Sequence, residues 1–441
     1  MAFVTKSLLG AASILALVSS AYAADVVEPE APAPAPVVGF NWSGFYVGIG
    51  GGFGASNHKV IAKNNEGPGS ISFNGIGGDG VFGEITAGYD HMLSERLLLG
   101  GFIDANLSNI GPSLDVNIGS SSLINADLTN QYGFDVGARL GYLLNPSTLG
   151  YVLGGYSWRH FKLDGSLGDE SFSFSKDRGG YVLGVGMETV VGSNWTIKTE
   201  YRYADYGSPT ILSIEDTDLK LNPSTHTFHI AANYRFGAQD GGGAAFAAPQ
   251  YDWTGFYVGG ALGAGEVVHG LSVDASPLDA SLKGIGSEGI FGEASVGYDH
   301  DFGNWVGGIL LDARYSGIES KADLDDVLGL TAKVKADYGF DVLGRIGMKV
   351  NESTLAYVLG GYSWQHFKAS ISDGSDSESI DWDSSGFSVG GGLETAVSTN
   401  ATVGLEYRYS RYAKEDFDTD GLLNVRPTSH TVRLGLKYKF N

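Results

Sequence analysis

The sequence predicts an all-β protein: two tandem eight-stranded antiparallel transmembrane β-barrels in one chain, with one sixteen-stranded barrel as the alternative. Three observations carry this. NWSGFYVG at 41–48 returns as DWTGFYVG at 252–259, so the chain is a duplication. Within each copy, stretches of about ten residues alternate between apolar and small or polar side chains, the period of a strand with two different faces. The connections also alternate, tight turns with long polar stretches, as in outer-membrane barrels with periplasmic turns and extracellular loops.

Composition fits. Among 441 residues there are 67 Gly, 23 Tyr and 22 Phe, and only 18% are charged. That mixture suits strands with aromatic faces and argues against disorder. Cysteine is absent, which excludes disulfides, thiol nucleophiles and thiolate metal sites. A formal charge of -22 disfavours nucleic acid as a partner. At the start, Lys6, the apolar run Leu8 to Val18 and Ala21-Tyr22-Ala23 read as a signal peptide over 1–23. Residues 24–40, rich in Pro and Ala, read as a periplasmic spacer. No later apolar run is long enough for a membrane helix, so any crossing is by strands.

The first barrel is expected over 41–237. Its strands are expected near Phe45–Phe53, Val81–Met92, Leu97–Leu107, Tyr132–Leu144, Leu149–Phe161, Tyr181–Glu188, Trp195–Tyr203 and Phe228–Phe236. The opening strand sets Phe45 and Val47 toward lipid and Gly44, Tyr46 and Gly48 toward the lumen. The fifth candidate has no clear division of faces. Tight turns are expected at Leu93–Arg96, Asn145–Thr148 and Gly192–Asn194, and long polar loops near 55–79, 108–127, 162–177 and 207–225. Residues 238–251 read as a Gly/Ala-rich linker and 252–441 as the second barrel. The strands recur there: TLGYVLGGYSWRHFK at 148–162 becomes TLAYVLGGYSWQHFK at 354–368, and TEYRYADY at 199–206 becomes LEYRYSRY at 405–412. The long loops do not match. The 237–254 connection is much longer than the other periplasmic turns and the inward faces are rich in glycine, which favours two narrow barrels over one wide one.

These residues resemble a known family. The W-[ST]-G-F-Y-V-G opening, the G-Y-S-W fifth strand, the E-Y-R-Y seventh strand and the closing aromatic strand look like the alphaproteobacterial small outer-membrane immunogens, within the porin-opacity and OmpA-like eight-stranded barrels. The resemblance implies a bacterial outer-membrane location, no enzymatic activity and no cofactor. It implies a role as envelope-stabilising surface antigen or adhesin, with small-pore activity or haemin binding as lesser readings. Implied partners are outer-membrane lipid and lipopolysaccharide, the barrel-assembly machinery and an unidentified surface or host ligand. Such proteins usually have one barrel and end on an aromatic residue; here there are two copies, and Asn441 follows Phe440. Tyr234, Phe236, Tyr438 and Phe440 are the expected assembly-signal aromatics.

One strand face carries charges of both signs: Glu84, Asp104, Asp135, Arg139, Glu188, Glu200 and Arg202, then Glu293, Asp312, Asp341, Arg345, Glu394, Glu406 and Arg408. In a soluble barrel this face would meet water; in a membrane barrel it lines the interior. Eight strands leave a bore that side chains fill, so the charges are expected to pair as a plug, with Glu200 and Arg202 joining Glu188 and Arg139, rather than select ions. A sixteen-stranded closure would make the chain a porin-like diffusion channel instead. His160, His366, His226 and His430 fall near outer strand ends without metal-ligand spacing, and read as rim residues. The acidic stretches at 215–218, 323–326 and 373–383 lack calcium-loop spacing and read as solvated loops. No nucleophile elbow or phosphate loop is present.

Overall fold

The computed structural model describes residues 39–65, 70–119, 121–214, 216–240, 246–275, 278–324, 329–416 and 423–440. The expected signal peptide, the spacer up to Val38 and Asn441 lie outside them. The first repeat forms β1 (Gly44–Asn64), β2 (Ser70–Met92), β3 (Leu97–Ile110), β4 (Ser113–Ile118), β5 (Ser121–Asn145), β6 (Thr148–Leu167), β7 (Glu170–Val190), β8 (Trp195–Asp205), β9 (Thr210–Ile214) and β10 (Thr217–Arg235). The second forms β11 (Gly255–Ala275), β12 (Leu278–Asp301), β13 (Trp305–Leu324), β14 (Leu330–Asn351), β15 (Thr354–Ser372), β16 (Ser377–Ala396), β17 (Ala401–Tyr412), β18 (Glu415–Asp416) and β19 (Leu423–Lys439).

Strand pairing decides between one barrel and two. In the first repeat the antiparallel circuit runs β1-β2-β3-β5-β6-β7-β8-β10. It closes where β10 pairs with β1, from Tyr46↔Arg235 to Asn64↔Thr217. In the second it runs β11-β12-β13-β14-β15-β16-β17-β19. It closes from Tyr257↔Lys439 to Val273↔Leu423. Both edges of β10 are therefore occupied within its own repeat, and the continuation a sixteen-stranded barrel needs is absent. Each circuit has eight principal strands; β4, β9 and β18 are short additions at the outer ends.

The faces follow the pleat. Phe45 is 67% exposed and its neighbour Tyr46 only 3%. Ile49, Ile85, Ile103, Val136, Ile230, Ile309, Val342 and Val358 are likewise exposed, forming the apolar belt that lipid covers. The repeated W-[ST]-G sequence closes the periplasmic mouth. Trp42 is buried and its indole N–H donates to the Pro146 carbonyl at 3.2 Å. The hydroxyls of Ser43 and Thr254 accept the backbone N–H groups of Met92 and Asp301, each at 3.0 Å, tying strand entry to the end of the neighbouring strand. Gly44 and Gly255 have φ of 136° and 142°, backbone that a side chain resists.

Two sequence expectations change. The segments read as long loops are in large part strand. β6 and β7 stay in register to Leu167↔Glu170, so the expected loop at 162–177 is a continued hairpin with its turn at Gly168-Asp169. β1 and β2 pair out to Lys63↔Ser70. These extensions run well past the 9–11 residues that cross a bilayer. They lack an alternating pattern because neither lipid nor a deep core sorts their faces. The fifth strand candidate, β6, was unreadable for a related reason. It turns Leu149, Tyr151 and Leu153 inward, where they cap the periplasmic end of the bore with Trp42, Leu98 and Leu143, so both its faces are apolar.

Candidate functional site: a salt-bridged bore beneath outward-reaching strands

The inward faces place the predicted charges together, and all fourteen are buried or nearly so. In the first barrel they form two layers. Nearer the periplasm, Arg139 bridges Asp90 and Glu188, with Nη1 2.9 Å from the Glu188 carboxylate. Arg235 contacts the same two carboxylates at 2.8 and 2.9 Å. Thr196 and Asn233 donate to Glu188 as well. Farther out, Arg202 contacts Asp104, Asp135 and Glu200 at 2.5, 2.7 and 2.5 Å. Arg159 reaches Asp135 at 2.6 Å, and Glu84 is held by His229 at 2.7 Å and Lys198 at 3.5 Å. The expectation that Glu200 and Arg202 join Glu188 and Arg139 is corrected in one respect. Among the described residues the two layers share no ion pair; Tyr151 links them, donating to Glu200 at 2.6 Å while its ring lies 4.9 Å from the Arg139 guanidinium.

The second barrel repeats the plan with substitutions that compensate. Arg345 bridges Asp299 and Glu394, and Arg408 contacts Asp312, Asp341 and Glu406 at 2.6, 2.8 and 2.5 Å. Glu293 is met by Arg433 at 3.2 Å, in the place His229 takes in the first barrel. One exchange is especially informative. Arg159 on β6, the partner of Asp135, becomes Gln365 on β15, while Asn106 on β3 becomes Arg314 on β13. Arg314 then contacts Asp341, the counterpart of Asp135, at 2.8 Å. The same carboxylate thus receives a guanidinium from a different strand. An unpaired buried carboxylate is costly, so what is retained is neutralisation at that point rather than a residue at a position.

Asp90, Arg235, Lys198, Arg159, Arg314, Arg433 and Lys437 join the network without having been among the charges expected from the sequence. The signal was available for most: they fall on the same strand parity as the predicted charges. Arg159 was missed because β6 gave no readable faces.

The bore is filled. Two cavities within the second barrel, lined by groups such as Arg314, Tyr412 and Arg433 and by Glu293, Glu394 and Lys437, measure about 20 and 40 Å³. Each has room for a water molecule or a few. Above them, the outer strand ends of the second barrel surround a wider cup of about 590 Å³. Ala322, Ala332, Val334, Ala369, Ile371 and Ile380 line it, and Phe73 of the first barrel contributes to its wall.

His160 and His366 lie at the rim: each stacks on a tyrosine, Tyr132 or Tyr338, with ring centroids 4.6 Å apart. Each also bonds an aspartate, Asp177 or Asp383, at 2.6 and 2.7 Å, and neither borders the cup. His226 and His430 bond Tyr201 and Tyr407 at 2.7 and 2.8 Å. Among the described residues no three His, Asp or Glu side chains are placed to hold a metal ion. In the 373–383 stretch, backbone N–H groups of Asp376 and Ser375 hold the Asp373 carboxyl below its usual value, as in a self-capped turn. Glu215, Asp325 and Asp326 lie outside the described residues. Phe236, Tyr438 and Phe440 are exposed on the outer face at the periplasmic end, with Tyr234 half-buried beside them.

A family model described as "outer membrane protein beta-barrel domain" matches the chain twice, over residues 10–236 and 241–440. The 31 kDa outer-membrane immunogenic protein of Brucella melitensis is 32% identical over 241 residues, which are 52% of this chain and 100% of the relative. A 22 kDa outer membrane protein of Rhizobium leguminosarum is 32% identical over 193 residues, 44% of this chain and 80% of the relative. These relatives are about one repeat long. A solved structure of Ail, the attachment invasion locus protein of Yersinia pestis, aligns at 19% identity over 41% of this chain and 98% of that one, with a TM-score of 0.23.

Proposed function

The chain belongs to the outer-membrane β-barrel domain family and is an outer-membrane protein, and from that premise we propose that it is a non-enzymatic surface protein: two plugged barrels that anchor and display outward β-extensions as antigen or adhesin. The observation that carries this reading is that each eight-stranded circuit closes on itself around a neutralised, filled bore. Cavities that hold only a few waters in the second barrel, and buried ion pairs across the bore of the first, support the outer surface as the working part. The names of the relatives, immunogenic outer-membrane proteins, support surface display. Lipid and lipopolysaccharide are the proposed surroundings of the apolar belt, and the assembly machinery the proposed reader of Tyr234, Phe236, Tyr438 and Phe440.

Two measurements test it together. Epitope tags placed at the Gly168-Asp169 and Asp373-Gly374 turns are expected to bind antibody on intact cells. Purified protein in planar bilayers is expected to give no steady conductance. Tags reached only after the outer membrane is permeabilised, or large stable openings, would replace this reading with the porin.

A further inference from the structure

The contacts between the two barrels obey a rule that the duplication alone does not require. At the periplasmic end, Thr148 and its counterpart Thr354 meet each other, Oγ1 to Oγ1, at 2.8 Å. On one side of that contact Asn145 donates to the Thr395 hydroxyl at 2.7 Å and the Ala396 carbonyl at 3.0 Å. On the other, Asn351 donates to the Thr189 hydroxyl at 2.9 Å and the Val190 carbonyl at 3.0 Å. These are the same bonds with the repeats exchanged. Thr148, Thr189, Thr354, Thr395 and Asn145 are fully buried, although they lie at the periplasmic ends of their strands.

The outer end repeats the rule. His226 faces Glu288 at 3.2 Å, and its counterpart His430 faces Asp79, the counterpart of Glu288, at 3.5 Å. Farther out, β2 pairs with β13 from Asn74↔Lys321 to Ser72↔Asp323. β4 pairs with β12 from Ser113↔Lys283 to Ile118↔Leu278. In the strand alignments Asn74 matches Lys283 and Ser113 matches Lys321, so these two ladders are also exchanges of one another. Between them Ile76 pairs with Ile285, its own counterpart. A residue meeting its own counterpart marks a two-fold axis, and the axis passes near Thr148/Thr354 at one end and Ile76/Ile285 at the other.

Mutual exchange of this kind is the mark of an isologous dimer interface. We propose that the chain is a fused dimer: one face of each barrel is a docking surface whose partner is a second barrel of the same kind, and the interface holds without the covalent connection. The bonds at the two ends are too specific in partner to be the incidental contacts of barrels tethered by a linker. Unlike exposed belt residues such as Ile103, Phe228 is buried, stacked on Tyr407 of the other barrel with ring centroids 5.1 Å apart. The arrangement also makes the outer strands of both halves a single paired surface rather than two separate ones.

The test uses the full chain. A protease site is inserted between residues 241 and 245, the protein is assembled in the outer membrane, and it is cut there. The two halves are expected to co-purify in mild detergent on a tag carried by one of them. Because the chain has no cysteine, Thr148→Cys with Thr354→Cys gives a clean second readout. After cutting, the halves are expected to remain joined on a denaturing gel until reduced, whereas Ile103→Cys with Ile309→Cys, on exposed belt positions, leaves them separate. Halves that part after cutting while each keeps its folded, heat-modifiable migration, together with no Thr148–Thr354 cross-link, would overturn the proposal. Because conductance and tag exposure are not involved, its failure is separate from failure of the surface-protein reading.

Discussion

Asp135 and Asp341 show what one buried carboxylate demands. Each is held by two guanidiniums, Arg159 and Arg202 in the first barrel, Arg314 and Arg408 in the second. Arg159→Gln is expected to lower first-barrel stability by about 3 kcal/mol, the cost of leaving a buried charge short of a partner. Adding Asn106→Arg, which copies the second barrel, is expected to restore most of it; the gel unfolding temperature of the folded form reads both. No recovery in the double variant would mean that position, not charge, is what matters. Glu266 is the opposite case. It is fully buried where the barrels meet, its first-repeat counterpart is Ala55, and neither carboxylate oxygen meets a donor among the described residues. Glu266→Gln, which supplies donors toward Glu288, is expected to stabilise the joined halves by about 1–2 kcal/mol, seen as a higher unfolding temperature. The inward charges were legible from strand parity alone. Arg159 and Glu266 were not, because one sits on a strand with two apolar faces and the other on the outward face, where a charge makes sense only once a second barrel is beside it.

At the scale of single elements, the opening W-[ST]-G carries more than the start of a strand. Its aromatic, hydroxyl and glycine plug the mouth, clasp the neighbouring strand and admit a backbone turn that other residues resist. Gly255→Ala is expected to destabilise the second barrel by about 1–3 kcal/mol through that φ, leaving the first intact, which separate folding markers on each half would resolve. The outer hairpins should be expendable to folding: deleting 163–174 removes no group from the plug, so the heat-modifiable shift and unfolding temperature are expected to stay near the full-length values. Periodicity recovered the crossing strands because lipid on one side and charge on the other sort their residues. It failed beyond the membrane, where water on both sides erases the alternation although the pairing continues. Gly168-Asp169 was the available turn signal there.

For the whole molecule, closure was foreseen from the length of the 237–254 connection and the crowded bore, and the pairing of β10 with β1 agrees. The association of the barrels was not foreseen, since residues such as Thr148 and Asn145 read as ordinary turn chemistry when only one barrel is in view. The shifted arginine has a further consequence at this scale. Two similar repeats in one gene invite recombination, and a crossover between the positions of Asn106 and Arg159 joins early strands of one repeat to late strands of the other. One product carries Asn106 and Gln365 and gives its aspartate one guanidinium fewer; the reciprocal product carries both Arg314 and Arg159 and crowds two cations into its place. Neither hybrid matches the charge balance of its parents. A change that kept two guanidiniums on each aspartate has thereby made the stretch between these positions non-interchangeable, so a crossover inside it costs a barrel its buried pairing while one outside it does not.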